Sequence, residues 1–325
     1  MVALVPDGAA WRPVGGGRAL RFCENAELHA CNWLLEAGCE DRFCLACRPN
    51  RTVPNLNDPE RMDQWRTLER AKHRLMHTLL RLGLPIIDRY DDPEGGLAFD
   101  FLADAGDGGR VMTGHDQGLI TIALREADDV ERERMRVSLS EYYRTVLGHF
   151  RHEIGHYYWN VLVRDEGRLE ECRAVFGDDR EDYGGALKRY YENGPPSDWR
   201  ERFVSAYATM HAWEDFAETW AHYLHMIDAL ETAGSYGLET APHVPKAELL
   251  TTRVDFDPFR EEDFGRLSGA WLPLTYLLNS MNRSMGLPDS YPFVLTPGIL
   301  QKMAFVHRLV RGVSQGVERR TETGQ

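Results

Sequence analysis

Apolar residues recur every three or four positions along several stretches of the chain, and that period predicts helices. Over residues 57–82, Trp65, Leu68, Ala71, Leu75, Leu79 and Leu80 form one stripe. Asn57 or Asp58 can cap this helix, Pro59 suits its first turn, and Gly83 and Pro85 end it. Residues 140–163 contain no proline and repeat Tyr142, Val146, Phe150, Ile154, Tyr157 and Val161 at the same spacing. Ser197 can cap a further helix holding Trp199, Phe203 and Tyr207. The run HAWEDFAETWAHYLHMIDALETAG follows, with Gly234 as its stop. A short helical pattern lies near 183–191, and further ones near 265–285 and 297–312, before a polar tail expected to fray.

Residues 86–127 read instead as strands broken by turns at 91–96 and 104–109. Residues 119–124 make the best strand, either an edge that holds an extended peptide or an ordinary core strand. Residues 1–55 carry little periodicity, and no internal repeat is evident. The pattern predicts an α+β, mostly helical chain, with a small N-terminal domain over 1–55 and a large one over 56–325.

Composition narrows the classes. The 325 residues are 43% hydrophobic and 27% charged, which suits a globular protein. A net charge of −13 argues against a nucleic-acid partner, because phosphate binding needs a positive surface. The start has no basic stretch followed by an apolar core, and no run of 18 apolar residues exists, so neither export nor a membrane is expected. Five of the six cysteines fall within residues 23–47 and end in a C-x-x-C. Without a leader this spacing reads as a metal site in a reducing compartment, hence a cytoplasmic protein.

Within 140–163 stands His152-Glu153-Ile154-Gly155-His156. On a helix the two histidines are one turn apart and can hold a zinc ion from one side. Glu153 flanks that ion and can take a proton from its water. The plain alternative is a chance motif, so a third ligand decides. A histidine six residues beyond His156 would complete a three-histidine site, but Leu162 stands there, and Trp159 occupies the place of the glycine such sites need. Glu214 and Glu218, on a later helix, both qualify. The preferred assignment makes Glu214 the ligand and Glu218 the carboxylate orienting a ligating imidazole, with the reverse left open. His222 and His225 share their face, and a solvated polar stripe is the plain alternative. Trp213, Phe216, Ala217, Trp220, Ala221 and Leu224, however, make the rest of the helix so apolar that it reads as largely buried, where a carboxylate needs a partner or a metal. Tyr207 is a candidate to stabilise an oxyanion, or else a core tyrosine. In the N-terminal region Cys44 and Cys47 form one knuckle, with Cys31 and preferably Cys23, rather than Cys39, as the other pair. The alternative is a set of reduced, non-ligating thiols. Cys39 and Cys172 receive no role.

The stretches CNWLL, CLACRPNRTVPNL, LERAKHRLMHTLLRLGLP, FRHEIGHYYWNVLV and RFVSAYATMHAWEDFAETWAHYLH resemble a family of bacterial zinc-binding metallopeptidases, which join an N-terminal zinc ribbon to a Glu-zincin domain. The likeness spreads from about residue 10 to about residue 310. The spacing Tyr-x6-Glu-x3-Glu also looks like the catalytic helix of lethal-factor-type zincins. The resemblance implies a zincin-like domain with zinc on His152, His156 and Glu214, Glu153 as base and Tyr207 near the oxyanion. Family members usually begin with an extra pair of cysteine knuckles, and this chain starts after them, so its ribbon is expected to be a half-domain or its start misplaced. The expected function is a zinc-dependent metallopeptidase with one catalytic and one structural zinc. Its expected partners are a peptide or protein substrate and a protein bound at the ribbon. Two rivals share the motif: a zinc hydrolase of a non-peptide amide, and a non-catalytic scaffold stabilised by zinc.

Overall fold

Strands too short to show a period build the N-terminal region. β1 (Leu4–Asp7), β2 (Ala10–Pro13), β3 (Leu20–Phe22) and β4 (Leu34–Glu36) form an antiparallel sheet in that order. The computed structural model describes residues 3–104, 109–138 and 144–322. Tyr142, the start of the expected 140–163 helix and most of the 104–109 turn lie outside those residues. The chain divides into two compact units, Met1–His77 with Ile86–Arg134, and Thr78–Pro85 with Met135–Gln325.

In the first unit β5 (Asn50–Thr52), β6 (Ala98–Leu102), β7 (Gly114–Asp116) and β8 (Leu119–Ala123) form a second sheet, ordered β5-β6-β8-β7. β5 and β8 run parallel to β6, and β7 is antiparallel to β8. The strand read at 119–124 therefore lies inside the sheet, whose edges are β5 and β7. Phe99, Phe101, Ile120 and Ile122 are buried and form its core.

α1 (Pro59–Arg81) is capped by Asp58, whose Oδ1 accepts from the Glu60 and Arg61 amides. It ends at Gly83, which takes a positive φ of 68°. Leu84 N donates to Leu79 O and Gly83 N to Leu80 O, the paired bonds of a left-handed helix stop. Trp65, Leu68, Leu75 and Leu79 are buried. Leu80 is exposed, because it lies about 100° round the helix from Leu79. Glu69, Lys72 and His73 take the buried face instead. α2 (Asp129–Ser138) follows.

The second unit is helical, with α3 (Val146–Trp159), α4 (Leu169–Phe176), α5 (Tyr183–Asn193), α6 (Ala212–Ser235), α7 (Phe264–Ser284) and α8 (Pro297–Glu322). A two-stranded ribbon, β9 (Glu239–Thr240) with β10 (Thr252–Arg253), joins α6 to α7. α3 continues as a π turn over Asn160–Arg164. The wider turn shifts the register, so Leu162 and Val163 are buried and Val161 is only half-buried. The helix expected from Ser197 does not form. Asp198 precedes a short 3-10 turn, and a second turn holds Tyr207. The carbonyls of Glu201 and Arg202, which a helix would give to its own amides, accept from Thr296 Oγ1 and Lys302 Nζ at 2.8 and 2.7 Å. The class is α+β, mostly helical. Among the described residues no helix is long and apolar enough to cross a membrane.

Candidate metal centres

α3 and α6 pack at close range because Gly155 has no side chain. A Cβ there would stand 3.0 Å from Ala217 Cα and 3.2 Å from Trp220 Cβ. Buried polar bonds fix the pair further along: Arg151 on α3 is ion-paired with Asp228 on α6, and Thr78 Oγ1 donates to Asp228 at 2.6 Å. This packing turns the His152 and His156 face of α3 toward the first turn of α6.

One donor atom from each of His152, His156 and Glu214 lies within 4.8 Å of the others. The two Nε2 atoms are 3.2 Å apart. Glu214 Oε2 stands 3.0 Å from His152 Nε2 and 3.6 Å from His156 Nε2. Bonds of about 2.0–2.1 Å to a tetrahedral zinc put donors roughly 3.3 Å apart, so the three atoms fit such an ion. Glu214 is 2% exposed, and among the described residues its Oε2 accepts no well-directed hydrogen bond. A buried carboxylate oxygen left facing two imidazole nitrogens calls for a cation. Burial works against charge on Glu214, yet His156 and His152 outweigh it and hold this carboxylate well below its usual range.

Glu218 takes the other side of His152. Its Oε1 accepts from His152 Nδ1 at 2.6 Å, so the neutral ring keeps its hydrogen on Nδ1 and offers Nε2 to a metal. Burial opposes that carboxylate's charge too, but His152 brings it down to about 2. His222, next along the same face, lies against Tyr291 with Nδ1 2.7 Å from its hydroxyl. Burial pushes it down to about 4, so it is a neutral core histidine. The face shared by Glu214, Glu218, His222 and His225 is buried or half-buried throughout, as the apolar flanks of the helix lead one to expect.

Glu153 is 8% exposed, beside both imidazoles. Burial lifts it above the usual carboxylate range, against the pull of His152 and His156. Tyr207 has its ring 6.1 Å from that of His152. Burial first, then the Glu214 charge, pushes its hydroxyl up, so it stays a donor. Sequence reasoning missed Tyr183, whose hydroxyl donates to Glu214 Oε1 at 2.9 Å. It also missed His211, which sets that contact. His211 Nδ1 accepts from the Trp213 amide and caps α6, while its Nε2 donates to Glu181 O and ties in the segment leading to Tyr183. No periodic signal marks either residue, because both precede or begin a helix.

A second centre lies in the first unit. Cys23 follows β3, Cys31 precedes β4, and Cys44 and Cys47 close a tight turn, with Cys47 N donating to Cys44 O at 2.9 Å. The four sulfurs all lie within 4.8 Å of one another. Cys31 and Cys44 Sγ are 3.7 Å apart. Zinc–sulfur bonds of about 2.3 Å imply roughly 3.8 Å. The Cys44 amide points at Cys23 Sγ and the Trp33 amide at Cys31 Sγ, at 3.4 and 3.3 Å, as suits thiolates. Cys39 is elsewhere, its Sγ 3.5 Å from Asp41. Cys172 is buried on α4, and burial pushes its thiol up to about 12, which leaves it inert.

Residues 61–309 match the family model described as "Putative zinc-binding metallo-peptidase", and residues 1–58 match a zinc-ribbon domain. An "Uncharacterized protein" of Mycobacterium bovis is 43% identical over 300 residues, covering 92% of this chain and 85% of the relative. A protein of Mycobacterium tuberculosis, also called uncharacterized, matches to the same extent. No solved structure matches.

Proposed function

The chain belongs to the zinc-binding metallo-peptidase family, and from that premise we propose that it hydrolyses peptide bonds at a zinc held by His152, His156 and Glu214 in a zincin-like domain. The observation that carries this reading is Glu214 Oε2, buried and facing both Nε2 atoms. When bound, the zinc supplies Lewis acidity for a carbonyl and lowers the pKa of water. Glu153 takes the proton of the attacking water and passes it to the leaving amine. Its raised proton affinity suits a group that must both accept and return a proton near neutral pH. Glu218 holds His152 in the tautomer that leaves Nε2 bare. Tyr183 holds Glu214, and Tyr207 donates to the oxygen on which charge develops. The four-cysteine centre holds a structural zinc and offers a surface for a protein partner. Free thiols in such a cluster suit the reducing cytoplasm.

Glu153→Gln tests this. Gln keeps the shape of Glu but cannot accept the proton, so zinc content and thermal stability stay close to wild type. Cleavage of a peptide library, read by mass spectrometry, should fall by at least about 10²- to 10⁴-fold. Wild-type cleavage by Glu153→Gln would sink the mechanism. Turnover of simple amides with no peptide cleaved would favour the non-peptide hydrolase. No turnover on either panel would favour the scaffold.

A further inference from the structure

The four-cysteine centre has a fifth donor beside it. His73, on α1 in the same unit, places Nε2 3.2 Å from Cys31 Sγ and 3.5 Å from Cys47 Sγ. The ring is buried and held. Its Nδ1 is 2.6 Å from Glu69 O, so Nδ1 carries a hydrogen and donates it. Trp33 packs edge-on at 5.5 Å. Glu69 is fixed in turn by Lys72 at 2.8 Å and Asn50 at 2.9 Å. In the neutral ring the hydrogen stays on Nδ1, and the lone pair of Nε2 faces the sulfurs. Cys31 is half-buried, whereas Cys23, Cys44 and Cys47 are 1%, 3% and 2% exposed. Oxidants and alkylating reagents therefore reach Cys31 first.

We propose that His73 is the reserve ligand of this centre: when the Cys31 thiolate is lost, His73 Nε2 takes its place, and Cys23, Cys44, Cys47 and His73 keep the metal. Three thiolates and one imidazole are an ordinary tetrahedral zinc set. The exchange needs little movement, because Nε2 already lies beside the edge between Cys31 and Cys47. The Glu69 carbonyl engages Nδ1, so Nε2 is the nitrogen left open to the metal. The proposal rests on the reading of the four cysteines as a zinc site.

Cobalt(II) substitution of the full chain tests it. Among the described residues only this centre offers clustered thiolates, so the near-ultraviolet thiolate-to-cobalt band reports it even with the histidine–glutamate centre filled. Cys31→Ala should keep the metal, with that band lowered by about a quarter as four sulfurs become three. Cys31→Ala combined with His73→Phe should lose the band, whereas His73→Phe alone should keep the four-sulfur spectrum. Cys31→Ser, closer in size to cysteine, gives the same comparison should the alanine variant not fold. Loss of the band in Cys31→Ala and Cys31→Ser, with wild type showing it, overturns the proposal and leaves the ribbon reading standing. Equal retention with and without His73 overturns it as well. No band in wild type refutes the ribbon reading, and this proposal falls with it.

Discussion

Glu214 and Glu218 are one helical turn apart on α6 and meet the same imidazole from opposite sides. Glu214 faces Nε2 of His152 at 3.0 Å, and Glu218 accepts from its Nδ1 at 2.6 Å. The sequence allows either carboxylate to be the ligand, since both have the right spacing. What distinguishes them in space is which ring nitrogen each faces, and that depends on the rotamer of His152. The two should then fail differently. Glu214→Ala removes a metal donor, so zinc at this centre should be lost. Glu218→Ala removes only the group that orients the ring, and a drop of about 10- to 100-fold in zinc affinity is expected. Competition with a chromogenic chelator measures both. The roles are reversed should Glu218→Ala empty the centre while Glu214→Ala stays loaded.

At the scale of elements, the spacing of α3 and α6 sets the geometry of the centre, and Gly155 sets that spacing. Alanine is the better helix former by about 1 kcal/mol. Its methyl, however, would sit 3.0 Å from Ala217 Cα, a backbone atom with no rotamer to yield. Overpacking of this kind costs about 1–3 kcal/mol, so it should outweigh the helix preference. Gly155→Ala should lower the melting temperature by about 2–4 °C for each kcal/mol lost, and weaken zinc binding with it. A higher melting temperature by calorimetry would mean that the helices separate at no cost. The long helices α1, α3, α6 and α7 are legible in the sequence because each repeats its apolar period over many turns. The strands of the first sheet are not, being three or four residues long. Nor is the break after Ser197, because the groups that prevent a helix there, Thr296 and Lys302, lie about 100 residues away in sequence. Of the site, the H-E-x-x-H and the Cys44–Cys47 knuckle can be read directly, since their spacing is local, whereas Cys23 stays only a preference over Cys39 until the fold brings it beside the other sulfurs. Tyr183 and His73 cannot, because their roles arise from contacts between distant segments.

For the molecule as a whole, the two candidate centres fall in different compact units, so their metals should be separable. The histidine–glutamate centre joins α3 to α6 in the second unit. The cysteine centre lies in the first, where the chain leaves Cys47 and enters β5, which pairs with β6. Loss of the thiolate metal should therefore loosen more than the N-terminal sheet. Purified protein should carry about two zinc ions per chain. His152→Ala should remove one and Cys44→Ala the other, as read by elemental analysis. A small metal-held region commonly unfolds when its zinc leaves. In Cys44→Ala, hydrogen exchange should thus quicken in β1–β4 and spread to the β5–β6 ladder, while amides of α3 and α6 keep wild-type protection. His152→Ala should show the opposite order, with any change confined to the second unit. Less than one zinc in carefully prepared wild type would refute the two-centre reading. Equal loosening of both units in both variants would show instead that the metals stabilise one cooperative structure.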